Sequence, residues 1–404
     1  MTLPLPTRRW TVRLGGAEFT EWSRVEISRD LQDLAARFHL EARDAVRSRA
    51  TFPFASLAAQ GPLVDTGLEA EILLDGVLIL LGWVNSVEPR ASEGQVSVSI
   101  SGCDKTSDLV DCAASVDGPF EYYGQTLDKV AAAVLKPFGL KVKVEADVGA
   151  QFARYGIDVG ETALSALEKG ARQRGLLLTS DGRDGLVLTQ SGSSRLAGSL
   201  KFPGNVVESS GHFSVEERHG AYHVKGQAER AGGRRRKRPK LSAKAPPQPA
   251  LDGEAGYLDR QGDHERAGTA VSGTARDPMG RRHRPVVAMG RTQLDATGAR
   301  TQAQWMARTA RGRSQTLDYT VKDYYGPGGE LWRPNMLVAV EDAYQQVWRD
   351  MLIAGVALSY DAQGGALTRL RLCSPDAYDL AAVGNRRRNR KGHCKLDTTA
   401  NELK

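Results

Sequence analysis

His212, His219 and His223 form the only histidine cluster in the 404-residue chain. His219 and His223 stand four residues apart, a spacing that puts two imidazoles on one face of a helix. The residues around them read as extended, however, where four residues cover about 13 Å and two side chains cannot close on one ion unaided. They are read as solvated or structural histidines, and neither a metal nor a cofactor is expected. The chain has no Gly-x-x-x-x-Gly-Lys-Ser/Thr loop, no Gly-x-Gly-x-x-Gly turn, no His-Glu-x-x-His pair and no Gly-x-Ser-x-Gly elbow. Groups assembled from distant residues leave no such mark, but no residue stands out as catalytic, and an enzyme is not expected.

The sharpest local feature is basic. Arg234, Arg235, Arg236, Lys237 and Arg238 run together, and Arg386, Arg387 and Arg388 repeat the pattern near the end of the chain. Such runs serve as solvated loops, as contacts for an acidic protein surface, or as contacts for a phosphate backbone. No aromatic residue is interleaved with either run, so the stacking platforms of single-strand binders are missing. The net charge of +7 is unevenly spread: residues 229–244 carry +7 and residues 385–404 carry +5, leaving the rest of the chain at −5. A basic isoelectric point therefore says little about the folded body.

Cys103, Cys112, Cys373 and Cys394 form no Cys-x-x-Cys pair and are too sparse for a disulfide framework; they are expected to be reduced and packed as small apolar groups. Trp10, Trp22, Trp83, Trp305, Trp332 and Trp348 are dispersed, which suits core or subunit interface. The most apolar run, Ile72 to Val84, is broken by Asp75 and Gly76 and falls short of the ~20 apolar residues that cross a bilayer. Residues 1–10 hold no apolar segment of signal type. No membrane insertion and no secretory export are expected.

The elements that must position these groups are mainly β. Residues 8–115 alternate apolar and polar, with hairpin signals at Gly15-Gly16 and Asp75-Gly76. Tight turns with little helix between strands predict a closed antiparallel barrel or sandwich for residues 1–117. Residues 118–204 predict a small α+β insert: a helix carrying Leu127, Val130, Ala131, Val134 and Leu135 on one face, a strand over 141–145, a helix from Thr162 to Gly175, and a hairpin about Asp181-Gly182. Residues 205–384 predict a second β region with one helix, Ala299 to Arg311, whose Ala303, Met306, Ala307 and Ala310 share a side. It is interrupted by a basic stretch over 227–268 too poor in large apolar residues to fold on a core, and residues 385–404 read as a flexible tail.

The segment from Val96 to Ala114 resembles the end of the first β domain in the baseplate hub proteins of Mu-like contractile-tailed phages, where a strand runs into Gly-x-x-Lys-Thr-x-Asp-Leu-Val-Asp. Those positions are Gly102, Lys105, Thr106, Asp108, Leu109, Val110 and Asp111. Gly160, Glu161 and Thr162 opening a helix, and the order of the elements around them, are similar to the same family, over about residues 5–380. The resemblance, which extends to T4-type hubs and the hub region of VgrG spikes, implies two barrels similar to the tail tube protein. Three chains would then present six barrels to a hexameric tube and a threefold face to a trimeric spike, in the tail baseplate of a virion assembled in the host cytoplasm. It implies as partners the tail tube protein, the central spike, the baseplate wedge and the tape-measure protein, with DNA passing through the lumen. The hub of a tailocin or type VI-like injection machine has the same architecture. Outside the resemblance, a peptidoglycan-binding or lytic cell-wall protein and a nucleic-acid binder stay open. The basic stretch does not match the family pattern, and is expected to contact an acidic surface of the spike, the neighbouring chain or the baseplate.

Overall fold

The computed structural model describes residues 9–19, 22–43, 64–92, 95–227, 270–278, 280, 282–290, 296–361 and 365–379. They divide into two compact units. The first holds residues up to Ser214 together with the stretch from Arg311; the second runs from Val215 to Ala310.

The first unit opens with seven strands, β1 (Trp10–Leu14), β2 (Ala17–Phe19), β3 (Arg24–Asp30), β4 (Arg37–Arg43), β5 (Glu69–Leu74), β6 (Val77–Ser92) and β7 (Gln95–Asp104). Alternation decides which face is buried: along β5, Ala70, Ile72 and Leu74 are fully buried while their neighbours are half exposed. Both predicted hairpins form. Gly15 and Gly16 turn with φ of 56° and 87°, Asp75 and Gly76 with 50° and 80°, the two positive angles that join antiparallel strands by two residues.

An insert follows. It holds a 3-10 turn (Lys105–Ser107), α1 (Asp108–Asp111), β8 (Glu121–Gln125), α2 (Leu127–Leu135), β9 (Lys141–Val144), β10 (Phe152–Gly156), α3 (Ala163–Arg174), β11 (Leu177–Ser180) and β12 (Gly185–Thr189). The five apolar residues predicted for one face of α2 are the five that it buries. Thr162 caps α3 by accepting from Ser165 N at 3.3 Å, and Gly175 ends it at φ 62°. β12 lies between β11, antiparallel, and β9, parallel. The insert has its own core, in which Leu109, Leu127, Leu135, Leu167 and Leu188 are sealed from solvent.

β13 (Ser194–Phe202) and β14 (Val206–Phe213) lead out of the insert. The second unit follows, with β15 (Ala221–Gln227), β16 (Ala270–Arg276), β17 (Pro285–Met289) and residues 296–310 of α4 (Ala296–Arg313). The sequence predicts one β region through here, interrupted by a helix; the fold instead gathers strands and helix into a separate unit. β15 pairs antiparallel with β16 and parallel with β17, and Ala299, Ala303 and Ala307 seat the helix on Tyr222 and Val224. Gly273 permits the approach, since a Cβ there would stand 2.2 Å from backbone atoms of the helix.

The first unit then completes with β18 (Gln315–Lys322), β19 (Met336–Asp342), β20 (Val347–Asp361) and β21 (Gly365–Cys373). The protein is mainly β with an α+β insert, as the alternation predicts. The two expected barrels take the form of two halves of one 13-stranded sheet, joined where β3 pairs with β20; among the described residues no ladder closes either half.

The halves repeat one another. The order β3-β4-β7-β6-β5 matches β14-β18-β21-β20-β19, with every neighbouring pair antiparallel. The longest strand of each half breaks register against its C-terminal hairpin partner, β6 against β7 between Val84 and Ser86 and β20 against β21 between Ile353 and Gly355. One residue before the last pair ahead of each break, Trp83 pairs with Cys103 and Leu352 with Cys373. Each cysteine is followed by a residue that caps a 3-10 turn, Asp104 in one half and Ser374 in the other. The flanking strand differs: β1 is antiparallel to β5, whereas β13 is parallel to β19.

Candidate assembly site at the strand ends

The Gly102 to Asp111 segment sits where β7 leaves the sheet for the insert. Gly102 is there because nothing larger fits: a Cβ would stand 2.0 Å from the Trp83 carbonyl oxygen and 2.5 Å from the Phe38 ring. Two residues on, Asp104 is fully buried and organises the junction. Its Oδ1 accepts from Thr106 N at 3.1 Å and Thr106 Oγ1 at 2.6 Å, and its Oδ2 accepts from Ala36 N at 3.1 Å and from Ser180 Oγ. One carboxylate thereby ties the end of β7, the loop before β4, the first turn of the insert and β11. Burial pushes its pKa up, against these donors and the nearby Arg29, which pull it down.

The turn after β11 is pinned beside it. Arg29, whose guanidinium burial pulls below its usual range, donates to the Ile79 and Asp181 carbonyls. Arg183 donates to Leu78 O from Nη2 at 2.7 Å and from Nε at 3.1 Å, and Leu81 N donates to Gly182 O at 2.8 Å. Gly182 has φ of +78°, and a Cβ there would collide with Arg29.

The other family positions converge on the same junction. Lys105 Nζ lies 2.6 Å from Glu69 and 5.3 Å above the Trp83 ring, and Leu109 is buried in the insert core. Thr162 bridges to Ala113, Ala114 N donates to Glu161 O, and Ala163 N donates to Cys112 O, so the two motif segments lie side by side. Gly160 turns the chain at φ 80°. Burial raises the Glu161 carboxyl, but Lys169 at 2.7 Å, Asp158 N and Ser165 Oγ outweigh it and hold the group below its usual range. Asp108 starts α1 and its carbonyl accepts from Cys112 N; Asp111 and Val110 are exposed. Sequence reasoning passes over Asp104, although an Asp two residues before a Thr and four before a helix is a recognisable cap.

The second half holds a comparable anchor. Asp342, fully buried at the end of β19, accepts from Ser209 Oγ at 2.6 Å, Tyr319 Oη at 2.7 Å, and Tyr344 N and Gln345 N at 2.8 Å each. Burial pushes its carboxyl up, but those donors win and hold it low; burial and Asp342 together raise the Tyr319 hydroxyl.

The remaining candidates lie elsewhere. Arg234, Arg235, Arg236, Lys237, Arg238, Arg386, Arg387 and Arg388 fall outside the described residues. His223 Nδ1 lies 3.0 Å from Thr274 Oγ1 on an extended strand and His219 meets the Tyr222 ring edge-on, so the two share no helical face. Among the described residues no group of three or more His, Cys, Asp or Glu side chains could hold a metal ion. Cys373 is buried, Cys103 half-buried and Cys112 exposed. Trp10, Trp22 and Trp332 are core residues, and Trp348 is exposed.

Comparison with known proteins divides the chain at the same junction. Residues 10–104 match the N-terminal domain family of GpP-like baseplate assembly proteins of Mu phage, and residues 106–190 match the second domain of gp44-like baseplate hub proteins. Residues 295–381 match the fourth domain of the Mu phage baseplate assembly protein GpP. The chain is 27% identical over 388 residues to the baseplate hub protein gp44 of Escherichia phage Mu, covering 95% of this chain and 92% of that one. A 43 kDa tail protein of prophage MuSo2 from Shewanella oneidensis superposes with a TM-score of 0.73 at 28% identity, over 92% of this chain and 99% of that one. A tail protein from Neisseria meningitidis MC58 shares the fold, with a TM-score of 0.68 at 21% identity over the same shares of the two chains. Sequence, domain order and fold agree: the chain is a homologue of the baseplate hub protein of phage Mu, built from GpP-like and gp44-like domains.

Proposed function

We propose that the chain is the structural hub of a contractile-tail baseplate: a homotrimer that joins a hexameric tail tube to a trimeric central spike and encloses the channel through which DNA leaves. Its work is carried by protein–protein contacts and not by catalysis. The observation that carries this reading is the internal repeat, since a chain with two halves of matching strand order gives three copies six equivalent units around one axis. The relatives named above are hub and tail proteins, which supports the same reading. The body charge of −5 suits a channel that must not retain phosphates. The basic runs at 234–238 and 386–388 serve as contacts for acidic surfaces of the baseplate or spike.

Sedimentation of the chain, alone and with its spike protein, tests the assembly. A species of three times 43.8 kDa is expected. A chain that stays monomeric at every concentration, with and without spike, rejects the reading.

A further inference from the structure

The internal repeat leaves one ladder unmatched. In the second half, β20 pairs with β19 through Val347–Leu352 and then, past its register break, with β3 through Gly355–Asp361. β6 is built alike: it pairs with β5 up to Trp83, breaks register, and continues over Ser86–Ser92 with β7 on one side. Among the described residues no strand pairs with the other side of that segment. The counterpart of β3 is β14, which ends the sheet and pairs with β18 alone.

The backbone polarity of the open β14 edge agrees with that of β3 in the ladder already present. Leu31 N donates to Ala354 O, so alternation turns the N–H groups of Arg29, Ile27 and Val25 toward β20. Ser214 N donates to Ser314 O, so the same alternation turns those of Phe213, Gly211 and Ser209 away from β18, onto the open edge. These are corresponding positions: Ile27 pairs with Phe38 and through it with Gly102, and Gly211 pairs with Leu317 and through it with Leu372. Gly102 and Leu372 face Val84 and Ile353, the residues just before the two breaks.

We infer that β14 of one copy adds antiparallel to the Ser86–Ser92 edge of β6 in a second copy of this chain, repeating between chains the ladder that β3 makes with β20 within one. The register carries over from Val356↔Arg29 and Leu358↔Ile27, and sets Val87 opposite Phe213 of the second copy, Glu88 opposite His212 and Pro89 opposite Gly211. Phe213 is 53% exposed on β14, a large apolar side chain at an open strand edge that the added strand would cover beside the half-buried Val87. The proline has no N–H to give, so the ladder lacks one donor there, and the residue it meets is the single glycine of β14. Donor strand and acceptor edge lie on different parts of each copy, so the contact is head-to-tail, the kind that forms a ring where its rotation closes, as the trimer reading requires. The inference rests on the trimer reading and specifies its seam.

Cross-linking tests it in the full chain, with Cys112→Ser and Cys394→Ser to remove other reactive thiols. Residues facing each other in such a pair have Cα atoms about 5.5 Å apart, within disulfide reach, whereas three residues along a strand adds about 10 Å. Val87→Cys with Phe213→Cys is expected to give a covalent trimer on a non-reducing denaturing gel, returned to monomer by reductant. Val87→Cys with Ser210→Cys is expected to stay monomeric. In the unsubstituted chain, amide exchange over 206–213 is expected to slow at least tenfold between dilute monomer and assembled trimer. A trimer in solution that forms no 87–213 bridge and leaves those amides unprotected overturns the seam and leaves the trimer standing; a persistent monomer overturns both.

Discussion

The indole N–H of Trp10 donates to the hydroxyl of Tyr324 at 3.0 Å, and the two rings meet edge to face with centroids 5.2 Å apart. Tyr324 in turn donates to the carbonyl of Ser359 at 3.0 Å. One hydroxyl thus links β1, in the first half of the sheet, to β20 in the second.

Removing that hydroxyl leaves a buried indole N–H and a carbonyl without this partner. Tyr324→Phe is expected to cost about 1–3 kcal/mol in urea unfolding with the slope unchanged. Burial pushes the Tyr324 hydroxyl up to about 12, so the folded state favours the neutral phenol. That contribution is complete below the unfolded value of about 10 and is lost as pH rises through 12. Stability should therefore fall less steeply over this window in Tyr324→Phe than in the parent.

Asp342 predicts the opposite dependence. Its carboxyl is held below the usual range in the fold, so its contribution is present above the unfolded value of about 3.9 and lost on acidification through the lower folded value. Asp342→Asn is expected to destabilise at pH 7 and to flatten the loss of stability between pH 5 and pH 2. An unchanged acid limb would show that the four donors do not favour the charged form.

At the other anchor, Ser180→Ala removes one of the donors to Asp104 and is expected to cost about 1 kcal/mol. Asp104→Ala strands the Ala36 and Thr106 N–H groups together and should cost several-fold more. Faster amide exchange in residues 177–189 is the expected local sign, because Asp104 joins β11 to the sheet.

Gly102→Ala forces a methyl group to within 2.0 Å of the Trp83 carbonyl. Strand β6 or β7 must move to admit it, and a loss of at least ~3 kcal/mol is expected, at the upper end of overpacking. Denaturation midpoints compared with those of Gly16→Ala separate this close approach from turn strain, since nothing lies within 4 Å of a Cβ at Gly16.

Replacing Arg234 to Arg238 by Ser is expected to leave the thermal midpoint and the trimer mass unchanged while weakening association with the spike in pull-down at 0.15 M salt. Equal spike association before and after replacement rejects the spike as the acidic partner of this run. Retention of the parent on DNA that falls steeply with salt would favour phosphate instead.

Local chemistry made the near-neighbour structure readable. Asp75-Gly76 and Gly15-Gly16 define their hairpins through positive φ, and the spacing of Leu127, Val130, Ala131, Val134 and Leu135 defines the buried side of α2. Pairings between distant strands carry no such mark. Nothing beside Arg24–Asp30 announces a partner more than 300 residues away on β20, and nothing in β13 announces a parallel neighbour in β19. The separate unit at 215–310 was hidden for the same reason, because its strands alternate like those of the sheet. Among site residues, Gly102 and Lys105 stood out through the family pattern, whereas Asp104 acquires its role from Ala36 and Ser180, both remote in sequence.

Since β3 and β20 lie on one polypeptide, dilution cannot separate them as it separates independent molecules. Their meeting is fixed when the chain is synthesised, and their stoichiometry is one to one by construction. With that encounter guaranteed, the two repeats are free to diverge in sequence without having to recognise themselves.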